Sequence, residues 1–309
     1  MRLRVLLFLL CGTLSAVAAP KTVRLLTVGN SFAENALNYL PQLAEAAGHE
    51  LIVGRANLGG CTLERHWRHA AAFEADASDK EGSPYRGGKR SLSGLLKQDR
   101  WDFVTIQQVS YKSHDPATYQ PYADKLHRYI RDRAPQARIM AHQIWAYRVD
   151  DPRFVPANKG REPHTHQEMY EQVRKAYHAL AARLDLGIVP SGDAMYLADT
   201  DAEWGYRPDA GFDFKKAKAP SLPKQKHSLH RGWYWRKGKS GERTLKIDGH
   251  HAGRAGEYLL GCVWFETFFG ESVVENDFVP EGIEGDYARF LRETAHRAVE
   301  ALAADKVAR

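Results

Sequence analysis

The chain has 309 residues, 43% of them hydrophobic and 27% charged, with a formal net charge of +6 and only three cysteines. This composition allows a sizeable core and excludes a disordered chain and a disulfide-rich scaffold. Beyond the amino terminus, no segment approaches the ~20 continuous apolar residues that a membrane span requires, so we expect no membrane anchor.

The first 18 residues have the pattern of a secretory signal peptide. Arg2 and Arg4 are followed by the apolar run "VLLFLL" and then by Ala16-Val17-Ala18, a small-residue cleavage pattern. We therefore expect a secreted or periplasmic protein, with residues 1–18 removed and residues 19–309 forming a single domain.

Alternating strand and helix patterns predict an α/β fold. The strand-like runs are almost continuously apolar, which is typical of strands buried on both faces of a parallel sheet. The expected architecture is a three-layer α/β/α sandwich around a central parallel five-stranded sheet, of flavodoxin-like type. Strands are predicted at 22–28, 50–57, 102–107, 137–145 and 186–192, and helices at 37–48, 62–75, 119–134, 166–185, 253–269 and 284–304.

The first predicted strand ends in Gly29-Asn30-Ser31. Asn30 or Ser31 could simply cap the next helix, because both residue types accept hydrogen bonds from free helical N–H groups. Alternatively, Ser31 is a nucleophile at the carboxyl edge of a parallel sheet.

Two stretches interrupt the alternation of strands and helices. Residues 76–94 are polar and rich in glycine, which predicts a loop. Residues 203–247 lack clear periodicity but contain several aromatic residues, so we expect an ordered insertion on the catalytic side. Within it, residues 215–247 hold eleven lysines and arginines against one acid, Glu242. This charge is consistent with a solvated loop, with nucleic-acid binding or with binding of an anionic polysaccharide, and export favours the polysaccharide.

A second candidate motif, "DGHHAGRAG", begins at Asp248. Ser31, Asp248 and His251 follow one another in an order that can form a triad of nucleophile, orienting carboxylate and base. His250 competes with His251 for the role of base, and Asp193 is the alternative acid.

Three blocks together resemble the SGNH/GDSL hydrolase superfamily, and within it a secreted bacterial branch of unknown function. "VGNS" (28–31) is similar to the first block, "NLGGCTL" (57–63) to the second and "DGHHAGRAG" (248–256) to the last. The resemblance implies that Ser31 is the nucleophile and His251 the base, followed by Gly256 at the family's spacing. It also implies an oxyanion hole formed by the N–H groups of Ser31 and Gly60.

The sequence departs from this family after the third strand, where the usual Gly-x-Asn-Asp block reads "QQVS". A glutamine side chain carries N–H donors, so Gln107 or, less favoured, Gln108 is expected to complete the oxyanion hole. Asn30 replaces the aspartate that the family has beside the nucleophile.

We expect five residues to bind substrate. Some end predicted strands and others offer flat aromatic faces for sugar rings. They are Asn30, Gln108, His142, Trp233 and Trp235.

The expected function is that of a secreted serine esterase that removes an acyl group, by our interpretation acetyl, from a carbohydrate. The alternatives are a lipase or thioesterase, and a non-catalytic carbohydrate-binding protein on a degenerate hydrolase fold. No cofactor and no nucleic acid are expected. The paired histidines suggest zinc, but they lack the spacing of a zinc-binding helix, so no metal is predicted.

Cys61 is expected to be a packed thiol, although a nucleophilic role or a disulfide with Cys262 is also open.

Overall fold

A computed structural model describes residues 19–154 and 163–307, so the expected signal peptide lies outside the described residues. At its centre is a five-stranded, entirely parallel sheet in the order β2-β1-β3-β4-β5. The sheet and the flanking helices confirm the predicted fold class. The strands are β1 (Thr22–Gly29), β2 (Glu50–Asn57), β3 (Phe103–Ile106), β4 (Arg138–His142) and β5 (Gly187–Val189).

β1 shows why the apolar runs form inner strands. Leu25, Leu26, Thr27 and Val28 are all fully buried, although successive side chains of a strand point to opposite faces. Both faces of β1 must therefore be covered by helices, as expected for a parallel sheet.

The helices form two groups, and the members of each group pack against one another. One contains α3, α5 and α6, and the other contains α1, α2, α8, α9 and α10, while α7 contacts β4 and β5. The bounds are α1 (Ser31–Leu37), α2 (Leu40–Ala46), α3 (Leu63–Ala75), α4 (Tyr85–Gly88), α5 (Leu92–Leu96), α6 (Tyr122–Arg133), α7 (His166–Leu184), α8 (Ser191–Thr200), α9 (Arg254–Phe269) and α10 (Gly285–Val307).

Several elements differ from the sequence prediction. The helix predicted at 37–48 is replaced by α1 and α2, and the loop predicted at 76–94 contains α4 and the start of α5. The last sheet strand is only three residues long, and helix α8 begins at Ser191, where a strand end and a loop were expected. Asp193 therefore lies in the first turn of a helix, where a carboxylate interacts favourably with the helix dipole.

The insertion at 203–247 is ordered and contains regular structure that the sequence analysis missed. It passes into an antiparallel hairpin of β6 (His230–Lys237) and β7 (Arg243–Ala252), which forms a separate two-stranded sheet. The alternating apolar residues before and after "GKSG" (238–241) are a hairpin signal that could have been recognised.

No helix within the described ranges is long and apolar enough to cross a membrane.

Candidate active site

Ser31 lies where β1 passes into α1. Asn30 is the N-cap residue of α1, with extended backbone, and its Oδ1 accepts a hydrogen bond from the Phe32 N–H at 3.1 Å. Ser31 is the first helical residue and is only partly buried. Both interpretations of this segment therefore have a structural basis, with Asn30 as the cap and Ser31 beside it facing a cavity.

A hydrogen-bonded chain connects Ser31, His251 and Asp248. The Ser31 Oγ lies 2.9 Å from His251 Nε2, and His251 Nδ1 lies 2.9 Å from Asp248 Oδ2. The ionised carboxylate can only accept, so Nδ1 carries the proton and Nε2 is free to accept from the Ser31 hydroxyl. This is the geometry that activates a serine nucleophile.

Asp248 is held as an anion by several donors. Its Oδ1 accepts from the His251 backbone N–H at 3.1 Å and lies 3.0 Å from His250 Nδ1. Burial alone would raise the pKa of this carboxyl, but the hydrogen bonds from His250 and His251 outweigh burial and hold the pKa well below its usual range. The carboxylate is thus charged throughout the neutral and mildly acidic range.

His250 and His251 occupy different places around the same carboxylate. Both rings lie near Phe32, with centroid distances of 6.4 and 6.1 Å, but only His251 contacts Ser31, whereas the His250 ring lies 6.1 Å from that of Tyr147. The geometry therefore gives His251 the position of the base and makes His250 a second donor to Asp248.

The end of the hairpin is clamped by the segment that follows β4. The Arg148 N–H donates to the Gly249 carbonyl at 2.7 Å, and the Trp145 indole donates to the His250 carbonyl at 2.9 Å. A Cβ on Gly249 would lie 2.3 Å from Asp151 Oδ2, so only glycine permits this close approach.

The turn between β2 and α3 supplies backbone donors. The Leu58 N–H donates to the Gly29 carbonyl and the Cys61 N–H to the Leu58 carbonyl, both at 3.1 Å. Gly60 has φ +61°, a conformation that favours glycine. Within the described residues, the N–H groups of Gly59 and Gly60 donate to no protein acceptor, so both are free to bind an oxyanion; of the two, Gly59 lines the cavity.

The structure does not support the oxyanion role predicted for Gln107. Its side chain is buried, with Nε2 donating to Asn30 Oδ1 at 2.9 Å and Oε1 accepting from His142 Nδ1 at 3.0 Å. A Cβ on Gly29 would lie 2.6 Å from Gln107 Oε1, which shows how closely this carboxamide packs under the nucleophile. Gln107 therefore positions Asn30 and does not line the cavity.

Asn30 itself is a positioning residue rather than a freely available substrate ligand. Besides its two accepted bonds, its Nδ2 donates to the Cys61 carbonyl at 3.1 Å and so ties the glycine turn to α1. Asn30 nevertheless contributes to the lining of the cavity.

The predicted substrate-binding roles of Gln108 and His142 are also corrected. Gln108 Oε1 accepts from the N–H groups of Leu63 and Val109, and its Nε2 donates to the Thr118 carbonyl. His142 is completely buried, and burial lowers its pKa to about 3. Both side chains are interior structural groups.

The indole N–H groups of both hairpin tryptophans likewise donate hydrogen bonds within the protein. The Trp233 indole donates to Asp150 Oδ2 at 3.2 Å and lies 4.7 Å from the Phe214 ring, and the Trp235 indole donates to the Ser221 carbonyl at 2.8 Å. These contacts fold the insertion onto β6, so neither indole lines the cavity at Ser31.

The cavity at Ser31 has a volume of about 380 Å³, and most of the residues that line it are polar in type. The sequence analysis missed Asn35, which accepts from the Ala252 N–H at 3.2 Å and donates to Glu257 at 2.7 Å. Its spacing of four residues from Ser31 places both on one face of α1 and could have indicated it. The lining residues are Asn30, Ser31, Glu34, Asn35, Asn57, Leu58, Gly59, Arg231 and His251.

Asp248, His250 and His251 offer potential ligand atoms within 4.8 Å of one another. A metal ion at this point would compete with His251 for the carboxylate, so metal binding and the triad are alternatives. The prediction of no metal remains a prediction.

Cys61 and Cys262 are both free and buried, so the disulfide that the sequence left open is absent. Burial raises the pKa of the Cys61 thiol to about 12, despite the opposing effect of Arg65 and Arg68. A thiol in this environment is a poor nucleophile.

The chain belongs to the family DUF4886, a domain of unknown function, whose model matches residues 24–205. This confirms the expected branch of unknown function, and the sheet is that expected for the SGNH/GDSL hydrolase fold. The match ends before the hairpin that carries Asp248 and His251.

Three similar solved structures illustrate the relationship. A DUF4886 protein from Bacteroides uniformis is 25% identical, with a TM-score of 0.68 over 90% of this chain and 95% of that one. A candidate GDSL-like lipase from Parabacteroides merdae is 13% identical, with a TM-score of 0.46 over 82% and 99% of the two chains. The carbohydrate acetylesterase Est24 from Sinorhizobium meliloti is 11% identical, with a TM-score of 0.28 over 54% and 82%. No curated protein matches the chain.

Proposed function

We propose that the protein is an exported serine esterase that removes an acyl group, specifically acetyl, from a carbohydrate. The observation that carries this proposal is the unbroken chain of 2.9 Å contacts from Ser31 Oγ through His251 to Asp248. These contacts bring Ser31 and His251, which lie 220 positions apart in the sequence, to hydrogen-bonding distance.

In the first half of the proposed reaction, Ser31 Oγ attacks the ester carbonyl carbon and His251 Nε2 takes the hydroxyl proton. The N–H groups of Ser31 and of the Gly59-Gly60 turn bind the negative oxygen of the tetrahedral intermediate. His251 then gives the proton to the alcohol oxygen as the carbon–oxygen bond breaks, leaving an acyl-serine.

In the second half, His251 takes a proton from the water that attacks the acyl-serine, and then returns it to Ser31 Oγ as the bond between the acyl carbon and Oγ breaks and the carboxylic acid leaves. Asp248 stabilises the positively charged imidazolium in both halves and fixes which ring nitrogen faces Ser31. With Gln107 engaged by Asn30, the proposed oxyanion hole consists of backbone donors.

The lining of the cavity and the contacts of Ser31 argue against a lipase and against a non-catalytic binding protein. Leu58 is the one aliphatic side chain among its lining residues, which disfavours a long acyl chain and hence a lipase. The assembled contacts of Ser31 and His251 disfavour a purely binding protein, which would have no need of them.

Assays on the purified mature protein test this proposal. We expect hydrolysis of a small acetate ester and release of acetate from acetylated polysaccharides, with no loss on adding a metal chelator at constant pH. Ser31→Ala should abolish both activities. Inhibition by the chelator would favour a metal at Asp248, His250 and His251, while substrate binding without hydrolysis would favour the binding-protein alternative.

A further inference from the structure

A second cavity lies beside the candidate active site, on the other side of Arg231. It has a volume of about 370 Å³ and is formed by the segment before β6, the start of α9 and the segment before α10. Arg231 contributes to the lining of both cavities. A ligand larger than an acetyl group could therefore extend from Ser31 past Arg231 into this second cavity.

The second cavity is cationic. Lys226, Arg231 and Arg254 line it, against one acid, Glu284. Arg231 lies 3.9 Å from Asp248 and its side chain is 56% exposed, which leaves its guanidinium available. Within the described residues, neither Lys226 nor Arg254 forms an ion pair. Three cationic side chains thus line one cavity, and only one carboxylate, that of Glu284, lines it with them.

The geometry of the reaction determines which part of the substrate would meet these charges. His251 must protonate the alcohol oxygen, so the alcohol leaves on the side of His251. Arg231 lines the cavity at Ser31 together with His251 and lies 3.9 Å from Asp248, so it is beside His251. The cationic cavity therefore faces the alcohol portion of the ester and not its acyl portion.

We propose that this cavity is an anion subsite, and that the alcohol portion of the substrate is a sugar or oligosaccharide carrying a negatively charged group. A uronate carboxylate and a sulfate ester share the required chemistry, because arginine donates paired hydrogen bonds to either. The inference rests on the proposed esterase function and specifies its substrate class.

The test compares substrates that differ only in charge. An acetylated oligogalacturonide is compared with the same oligomer after reduction of its carboxyl groups, and an acetylated sulfated oligosaccharide with its desulfated form. We expect kcat/KM to be at least about tenfold higher for the charged member of one pair, mainly through KM, since a charge-assisted hydrogen bond typically contributes this much. The preference should shrink at high salt.

Variants locate the effect in the cavity. Arg231→Gln and Arg254→Gln should each reduce the charged-to-neutral ratio several-fold, whereas Lys239→Gln, at the exposed end of the hairpin, should leave it unchanged. Binding of the charged oligomer to the Ser31→Ala protein, measured by calorimetry, should weaken in parallel when Arg254→Gln is added.

The outcomes separate the two proposals. Preference for the uronate or for the sulfate pair supports the subsite and identifies its anion. Equal hydrolysis of charged and neutral members overturns the subsite but leaves the esterase proposal standing. Failure of the wild-type protein to hydrolyse any ester would overturn the proposed function itself.

Discussion

Ser31 reaches the candidate site from a helix start between the ends of parallel strands, whereas Asp248 and His251 reach it from an antiparallel hairpin outside the central sheet. We call the first region, residues 29–31 with the turn at 58–61, the nucleophile half. The second, β6 and β7 with the clamping segment 145–151, is the base half. The nucleophile half is held by short connections between regular elements, and the base half by contacts between distant segments.

This difference explains how much of each half can be predicted from the sequence. In the nucleophile half, a buried strand followed by a capping asparagine fixes Ser31 at the sheet edge. In the base half, the backbone of Gly249 and His250 is held by Arg148 and Trp145, about one hundred residues earlier. Local patterns can indicate the first arrangement but not the second.

Removing the reactive group of either half should have the largest effect. We expect Ser31→Ala and His251→Ala each to slow turnover by about 10⁴- to 10⁶-fold, because nucleophile and base act as one unit. The double variant should be no worse than either single variant. Steady-state hydrolysis of a small acetate ester measures this, and circular dichroism checks that each variant is folded. More than a tenth of wild-type activity in either single variant would remove that residue from the mechanism.

Gln107, which contacts the nucleophile half through Asn30, offers a test of how that half is supported. Gln107→Ala should lower the free energy of unfolding by about 1–3 kcal/mol, since it leaves buried partners on Asn30 and His142 unpaired. The control Gln42→Ala, at an exposed site on α2, should change stability little. Urea unfolding together with ester hydrolysis distinguishes the roles. Turnover slowed by about a hundredfold or more, with unchanged stability, would restore Gln107 as an oxyanion donor.

His250 offers a smaller test within the base half. His250→Ala should slow turnover by about tenfold or less, because Asp248 keeps two of its donors from His251. His250→Asn should recover part of the loss by restoring a side-chain N–H donor near Asp248. The measurement is the turnover rate of His250→Ala relative to that of His251→Ala. Equal losses in the two variants would mean that His250 takes part in proton transfer.

Acid stability depends on buried histidines both outside the two halves, on α3 and β4, and within the base half, on β6. Burial lowers the pKa values of His66, His142 and His230 to about 3, so in the folded protein they stay neutral where the unfolded chain takes up protons. Stability should therefore fall as the pH is lowered from ~6.5 toward 3. Asp199 opposes this trend, since burial raises its pKa to about 7 and its protonation in acid favours the folded state. His166, whose pKa burial lowers to about 4, acts in the same sense as these three histidines, so we expect the net free energy of unfolding to decrease as the pH falls. Urea titrations between pH 7 and 4 would measure this, and a free energy of unfolding that stays constant or rises as the pH falls would contradict the assignment.

The sequence predicted the central sheet because continuous apolar runs leave few alternatives to buried parallel strands. It also placed Ser31 at a strand end and Asp248 near His251, since these depend on local order and spacing. It could not assign Gln107 and Gln108, whose side chains turn inward to partners in other segments of the chain. It could not show that the indole N–H groups of Trp233 and Trp235 bond within the insertion, away from the cavity at Ser31, because composition does not reveal the partners of a side chain.

The separation of 220 residues between Ser31 and His251 has a consequence for the biogenesis of the protein. A nascent chain presents its serine long before the hairpin that carries the base has been synthesised. The proposed ester hydrolysis would therefore begin only on completion of the fold, and an unfinished or unfolded chain would not hydrolyse esters. During refolding, regained turnover would report the docking of the hairpin rather than the formation of the sheet.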